Sequence, residues 1–379
     1  MPFYSRTHQR VGLHRKVAWF IVCAIAFSLS RNVTDGQTAE KGKAAVFPGR
    51  EWERVEKPES VGYSSARLQA LRAWLQSLDT TAMMVSVGGR SLFEYGDLTH
   101  QSYLASVRKS LLAILYGKYV EGGKIQLDKT LRELEFTDVG GLSPREQEAT
   151  IEHLISARSG VYHLASNPGD STDSAPPRNS QRPGAYYLYN NWDFNAAGAV
   201  FEQLSGTNIY DALERDLAGP LEMQDFDRSR QVKNGNMAAS QHLAYPIFLS
   251  TRDMARVGLL ALRGGQWRDR QLVPRDWIAR TTTLVSPLAD MDQAFDDSPP
   301  TVARWGYGYL WWVWDAADRS DPLAGAFTAW GVGGQYITVV PKLDMVIAHK
   351  TDTANRNAVT ARQYDVVLRM VVEAKTTTP

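Results

Sequence analysis

The sequence predicts an α+β protein: an antiparallel β-sheet flanked by helices, built from both chain ends, with a mainly helical subdomain inserted at about 125–290. Three observations predict it. β-Rich runs occur near opposite ends of the chain, an amphipathic helix accompanies each set, and the stretch between them reads as helices separated by loops.

In chain order, Ser64 to Leu78 carries Leu68, Leu71, Trp74, Leu75 and Leu78 at three- and four-residue spacing, the signature of a helix with one apolar face. Met83–Val87 and Ser91–Tyr95 are β-rich runs joined by Gly88-Gly89-Arg90, a hairpin signal. Ser106 to Glu121 is helical and is closed by Gly122-Gly123. Ile151–Ser156, Asn195–Leu204 and Thr251–Leu262 are helices of the middle block. Prolines and Ser, Asp and Asn clusters mark Asn167–Gly184 and Ala289–Pro300 as long loops. Strand character returns at Gly308–Trp314 and Tyr336–Val340, and Pro341-Lys342-Leu343-Asp344 turns into a strand at Met345–His349. Ala358 to Glu373 is a final amphipathic helix. The domain reading is therefore a segment at 1–30, a flexible lead at 31–50 and one domain over 51–379.

The segment at 1–30 has its own logic. Arg6, Arg10, Arg15 and Lys16 precede an apolar run from Val17 to Leu29, which ends among the small residues Ser28 and Ser30. A basic stretch, a short apolar core and a small-residue exit make an export signal. The run falls short of the ~20 residues that span a bilayer, so no stable membrane span is expected after cleavage. The expected location is periplasmic or secreted, with an uncleaved membrane anchor as the alternative. Cys23, the single cysteine, would leave with the signal.

Composition narrows the chemistry. With 42 basic against 41 acidic residues, the net charge of +1 argues against nucleic acid as a partner. One cysteine and seven histidines without paired spacing offer no metal-ligand pattern, and no cofactor is expected. Eleven tryptophans and sixteen tyrosines are more than a core needs, so some are expected to line a cleft or an interface.

Three local patterns carry chemistry. Ser106-Val107-Arg108-Lys109 puts a serine and a lysine on one helical face, with helix-terminal N–H groups beside the serine. That fits a nucleophile with a base beside it, and equally a helix-start serine with a solvated lysine. Tyr189-Asn190-Asn191 follows the long loop at the start of a helix. It fits a phenolic proton shuttle with an orienting amide, or a packed tyrosine with an asparagine cap. Trp330-Gly331-Val332-Gly333-Gly334-Gln335 leads into a strand, where glycines allow close backbone approach and N–H donation to an oxyanion, or simply a turn.

Taken in this order, the patterns resemble those of the β-lactamase-related serine hydrolases: class C β-lactamases, DD-peptidases, certain esterases and 6-aminohexanoate-dimer hydrolase. The resemblance covers roughly 50–375. Leu104-Ala105-Ser106-Val107-Arg108-Lys109-Ser110 is similar to that family's nucleophile helix and Glu121-Gly122-Gly123-Lys124-Ile125 to its exit. Ile151-Glu152-His153-Leu154-Ile155 with Ser159-Gly160, Tyr189 to Gly198 with Glu202 and Ser205-Gly206, and Ser250 to Arg256 resemble further segments.

The resemblance implies the β-lactamase/penicillin-binding transpeptidase fold and an acyl-enzyme on Ser106. Lys109 and Tyr189 would move protons, either being the base, and Asn191 would orient Lys109 and the substrate. The amides of Ser106 and Gly334 would form the oxyanion hole. Gly333, Gln335, His163 and Asp193 are candidate substrate contacts. Relatives carry Lys-Thr-Gly or His-x-Gly at the third pattern; here the triplet reads Gly331-Val332-Gly333, without a cation for a substrate carboxylate. The expected substrate is therefore a small ester, amide or peptide. A β-lactamase or DD-peptidase is the alternative, and a non-catalytic peptide binder on the same fold is a further one.

Overall fold

The computed structural model describes residues 45–167, 174–291 and 304–376. The segment at 1–30, most of the lead at 31–50 and parts of both long loops lie outside the described residues. The described residues form one compact unit.

It begins with helix α1 (Ser65–Leu75), capped by the Ser64 hydroxyl, and the hairpin β1 (Ala82–Val87) and β2 (Arg90–Gly96). A short strand β3 (Ser102–Tyr103) leads into α2 (Val107–Glu121). The middle block holds α3 (Ile151–Ile155), α4 (Asn191–Ser205), α5 (Ile209–Leu213), the short strand β4 (Phe248–Leu249) and α6 (Thr251–Leu262). The two-residue strands β5 (Gln266–Trp267) and β6 (Arg270–Gln271) and α7 (Arg275–Thr281) follow. The chain then returns to the sheet with β7 (Trp305–Tyr307), β8 (Trp312–Trp314), β9 (Phe327–Gly331), β10 (Gln335–Val340) and β11 (Met345–Lys350), and closes with α8 (Ala361–Glu373).

The seven-stranded sheet has the order β2-β1-β11-β10-β9-β8-β7, antiparallel throughout. The first and last strands in sequence are thus neighbours at β1 and β11, and the sheet is assembled from both ends as expected. Successive residues of β10 show its two faces. Ile337 lies against Gly258 of α6, where a Cβ would stand only 2.9 Å from it, whereas the Thr338 hydroxyl meets Tyr364 of α8 at 2.6 Å. The sheet is therefore sandwiched, with α6 on one side and α8 beside α1 on the other. Helix α2 is buried on nearly every side from Val107 to Gly117, which explains its run of apolar residues in place of a clean stripe.

Two expectations change. Gly308–Trp314 is not one strand: Leu310 adopts φ +59° and the Gly308 amide bonds the Trp311 carbonyl at 2.8 Å, so the chain reverses between β7 and β8. The Tyr and Trp alternation belongs to two short antiparallel strands. The helix expected at Asn195–Leu204 begins earlier, at Asn191, because the Asn190 side chain caps it by accepting from the Asp193 amide at 3.0 Å.

Candidate active site

The site is built on the start of α2. Leu104 is fixed by its amide bond to the Ile247 carbonyl at 2.9 Å, Ala105 turns through φ +48°, and Ser106 stands as the residue that opens the helix. That kink leaves Ser106 partly exposed while Lys109, one turn on, is 1% exposed. Lys109 Nζ donates to Ser106 Oγ at 2.7 Å and to the Tyr189 hydroxyl at 2.7 Å. It also stands 4.2 Å from the Tyr189 ring centroid and 4.4 Å from that of Phe194. Ser106 and Tyr189, 83 positions apart in sequence, thus meet on one nitrogen.

Tyr189 is held by rings on three sides. Phe194 lies 4.7 Å away, Trp312 5.4 Å and Tyr307 5.9 Å between centroids, and Trp330 continues the wall 4.9 Å from Trp312. The hydroxyl consequently points one way, toward Lys109. The Asn191 amide donates to the Asn167 carbonyl at 3.3 Å, tying the start of α4 to the end of the loop before it.

The glycine-rich hairpin between β9 and β10 closes the site from the sheet. Gly331 is pressed against the nucleophile segment: a Cβ there would lie 2.5 Å from the Leu104 carbonyl oxygen and 3.1 Å from the Ser106 amide nitrogen. Gly334 lies elsewhere. Its φ is +101°, a Cβ on it would meet Thr351 Oγ1 at 2.7 Å and Val359 Cβ at 2.8 Å, and its carbonyl accepts from His349 Nδ1 at 2.8 Å. Gly333, at φ +81°, faces Thr353. The approach to Ser106 expected of Gly334 is made by Gly331, because the strand, and not the turn beyond it, crosses the helix start.

The remaining candidate contacts are turned inward. Gln335 is fully buried with its amide on the Thr351 carbonyl at 2.6 Å. Both nitrogens of His163 rest against main-chain carbonyls, Leu164 at 2.9 Å and Val139 at 2.7 Å. Asp193 is fully buried, with one oxygen on the Ser159 hydroxyl at 2.5 Å and the other without a hydrogen-bond partner. Burial pushes its carboxyl up to about 8, against the opposing pull of the Ser159 and Asn190 contacts. These three side chains are engaged by the protein's own groups. One residue that the motifs did not flag stands at the site: Phe194, one helical turn after Asn191; Gly331, the first glycine of the third pattern, makes the close approach. Helical spacing from Asn190 would have found Phe194.

A family model for Beta-lactamase matches residues 71–369. The chain belongs to the Beta-lactamase family. Among related proteins, this Beta-lactamase-family chain is 23% identical over 264 residues to the uncharacterized protein BpOF4_21049 of Alkalihalophilus pseudofirmus, covering 65% of this chain and 72% of that one. Its fold is similar to a penicillin-binding protein homologue from Caulobacter crescentus, with TM-score 0.59, 14% identity, and 83% and 99% of the two chains covered. It is similar too to EstCE1, a hydrolase with promiscuous acyltransferase activity, with TM-score 0.59, 16% identity, and 84% and 99% covered. Members of this fold family are generally serine hydrolases, which gives the Ser106 constellation its chemical frame.

Proposed function

We propose that this chain is an exported serine hydrolase that cleaves an uncharged carboxylic ester or amide through an acyl-enzyme on Ser106. The observation that carries this reading is the single nitrogen, Lys109 Nζ, bonded at 2.7 Å to both Ser106 Oγ and the Tyr189 hydroxyl. As Ser106 Oγ attacks the substrate carbonyl, its proton passes to the Lys109–Tyr189 pair. The same pair returns it to the departing alcohol or amine when the carbonyl–heteroatom bond breaks. Water then attacks the acyl-enzyme, and the pair again carries the proton that restores Ser106.

The oxyanion needs two donors. The Ser106 amide, at a helix start, is one. The alternation of β9 locates the second. The Ala326 carbonyl accepts from the Trp314 amide at 2.8 Å, so every second residue from Ala326 turns its main chain toward β8. β8 reaches only as far as Trp312 opposite Thr328, which leaves the main chain of Trp330 facing an unpaired edge. Val332 is the next amide in that series, directly after the glycine that touches Ser106, and we assign it the second oxyanion position in place of Gly334.

The hairpin also supports the substrate class. Its outward side chain is Val332, 64% exposed, and no cation stands in the triplet to meet a carboxylate such as those of penicillins or D-alanyl peptides. An aryl or alkyl ester without charge fits this edge, with Tyr189, Trp312 and Trp330 beside it.

A fluorophosphonate probe and p-nitrophenyl butyrate test the reading. The wild-type protein is expected to be labelled at Ser106 and to turn over the ester, while Ser106→Ala is expected to lose both. Labelling that survives the substitution would sink the proposal. Faster hydrolysis of a chromogenic cephalosporin than of the ester would move the assignment to β-lactams.

A further inference from the structure

Three consecutive residues at the end of β11, His349-Lys350-Thr351, are buried to between 0% and 1% exposure, and the mechanism above uses none of them. Burying a lysine head is costly unless its N–H groups are satisfied. Lys350 Nζ is satisfied entirely by main-chain carbonyls: Ser102 at 3.2 Å, His100 at 3.4 Å and Leu249. Ser102 and His100 belong to the segment that runs through β3 into Leu104, Ala105 and Ser106; Leu249 lies on β4, which pairs with β3. Burial pulls the Lys350 ammonium down to about 7, opposed by Asp352 and reinforced by Arg230. Even the neutral amine keeps two N–H donors for this cage.

His349 reaches the other way. Its Nδ1 lies 2.8 Å from the Gly334 carbonyl, and its Nε2 lies 2.9 Å from the Thr80 hydroxyl. A carbonyl only accepts, so Nδ1 carries the hydrogen. Burial drives the ring down to about 4, so it is neutral and Nε2 accepts from the Thr80 hydroxyl. Thr351 completes the grip: its carbonyl accepts from the Gln335 side chain at 2.6 Å and its hydroxyl oxygen would be 2.7 Å from a Cβ on Gly334.

One strand end thus holds both sides of the oxyanion hole. We propose that His349, Lys350 and Thr351 are positioning residues that set the distance between the Ser106 amide and the Val332 amide, Lys350 by fixing the nucleophile lead-in and His349 and Thr351 by fixing the glycine hairpin. None of them touches substrate. The proposal rests on the serine-hydrolase reading for its catalytic consequence, but the clamp itself is a mechanical statement that needs no turnover to test.

The experiment compares wild-type protein, Lys350→Met and Thr80→Val by hydrogen–deuterium exchange and by ester kinetics. Thr80→Val removes only the hydroxyl that orients His349, so it tests one arm mildly where Lys350→Met tests the other. For Lys350→Met, peptides covering 100–106 are expected to exchange roughly tenfold faster. For Thr80→Val, the excess is expected in 332–335 with 100–106 unchanged. In both variants kcat for p-nitrophenyl butyrate is expected to fall about 10- to 100-fold, with KM within about twofold. Unchanged exchange in these segments overturns the clamp, as does a rise spread evenly over the whole sheet or a loss confined to KM. A wild-type protein that Ser106 probes fail to label would count against the hydrolase reading alone, since the exchange pattern would still decide the clamp.

Discussion

Ala105 takes φ +48°, a left-handed conformation that costs a residue with a Cβ about 1–2 kcal/mol, immediately before the nucleophile. The neighbouring backbone bonds from Leu104 to Ile247 and from Val107 to Leu104 hold it there. Nothing in the string Leu104-Ala105-Ser106 announces that geometry, because alanine favours helix. The reactive residue types were legible all the same: serine and lysine three apart need only a helix to meet. The packing of the polar candidates was not, since a sequence cannot say which polar side chain a loop turns inward, and the polar groups of His163, Asp193 and Gln335 meet partners within the protein. Asp193 makes a testable case. Its carboxyl ionises near 8 in the folded protein against 3.8 for an ordinary aspartate. The folded state therefore keeps a proton that the unfolded chain loses between about pH 4 and pH 8, so stability falls as pH rises through that window. Asp193→Asn cannot ionise and retains an acceptor for Ser159. Melting curves at pH 5 and pH 8 should show the variant gaining on wild type as pH rises; a constant difference would refute the buried-carboxyl account.

The helices read well at the scale of elements because their signals are local. Ser64, Ser250 and Thr360 each cap the helix that follows, and Gly122 follows the last turn of α2. β9 was opaque for the opposite reason. Phe327, Thr328, Ala329 and Gly331 are buried, so the strand lacks the in–out alternation by which an exposed sheet declares itself. Its last residue makes the sharpest prediction at this scale. Gly331→Ala would place a methyl group 2.5 Å from the Leu104 carbonyl, closer than atoms tolerate, so strand and helix start must separate. Because the displaced group is backbone at the nucleophile, kcat/KM for an ester is expected to fall by about 100-fold or more, with far-UV circular dichroism unchanged. Retained activity would show that the close approach of Gly331 to the helix start does not position the second donor.

Across the whole molecule the architecture was legible from the position of the β-rich runs, and the loops were legible only as loops. No described helix is long and apolar enough to cross a membrane. Export is a prediction of the basic and apolar amino end, and intact mass of protein recovered from the producing cells checks it: a mature chain starting near residue 31 is expected, and a full-length mass would speak for a retained anchor. The pairing of β1 with β11 has a consequence for how the protein comes into being. While a ribosome makes the chain from its amino end, β1 and β2 emerge long before their partner and offer an unpaired edge along β1. Residues 97–344 must follow before β11 can close that edge. Closure of the sheet must therefore wait until β11 is made, and a nascent chain stalled before Met345 leaves an open sheet that invites other chains to pair with it.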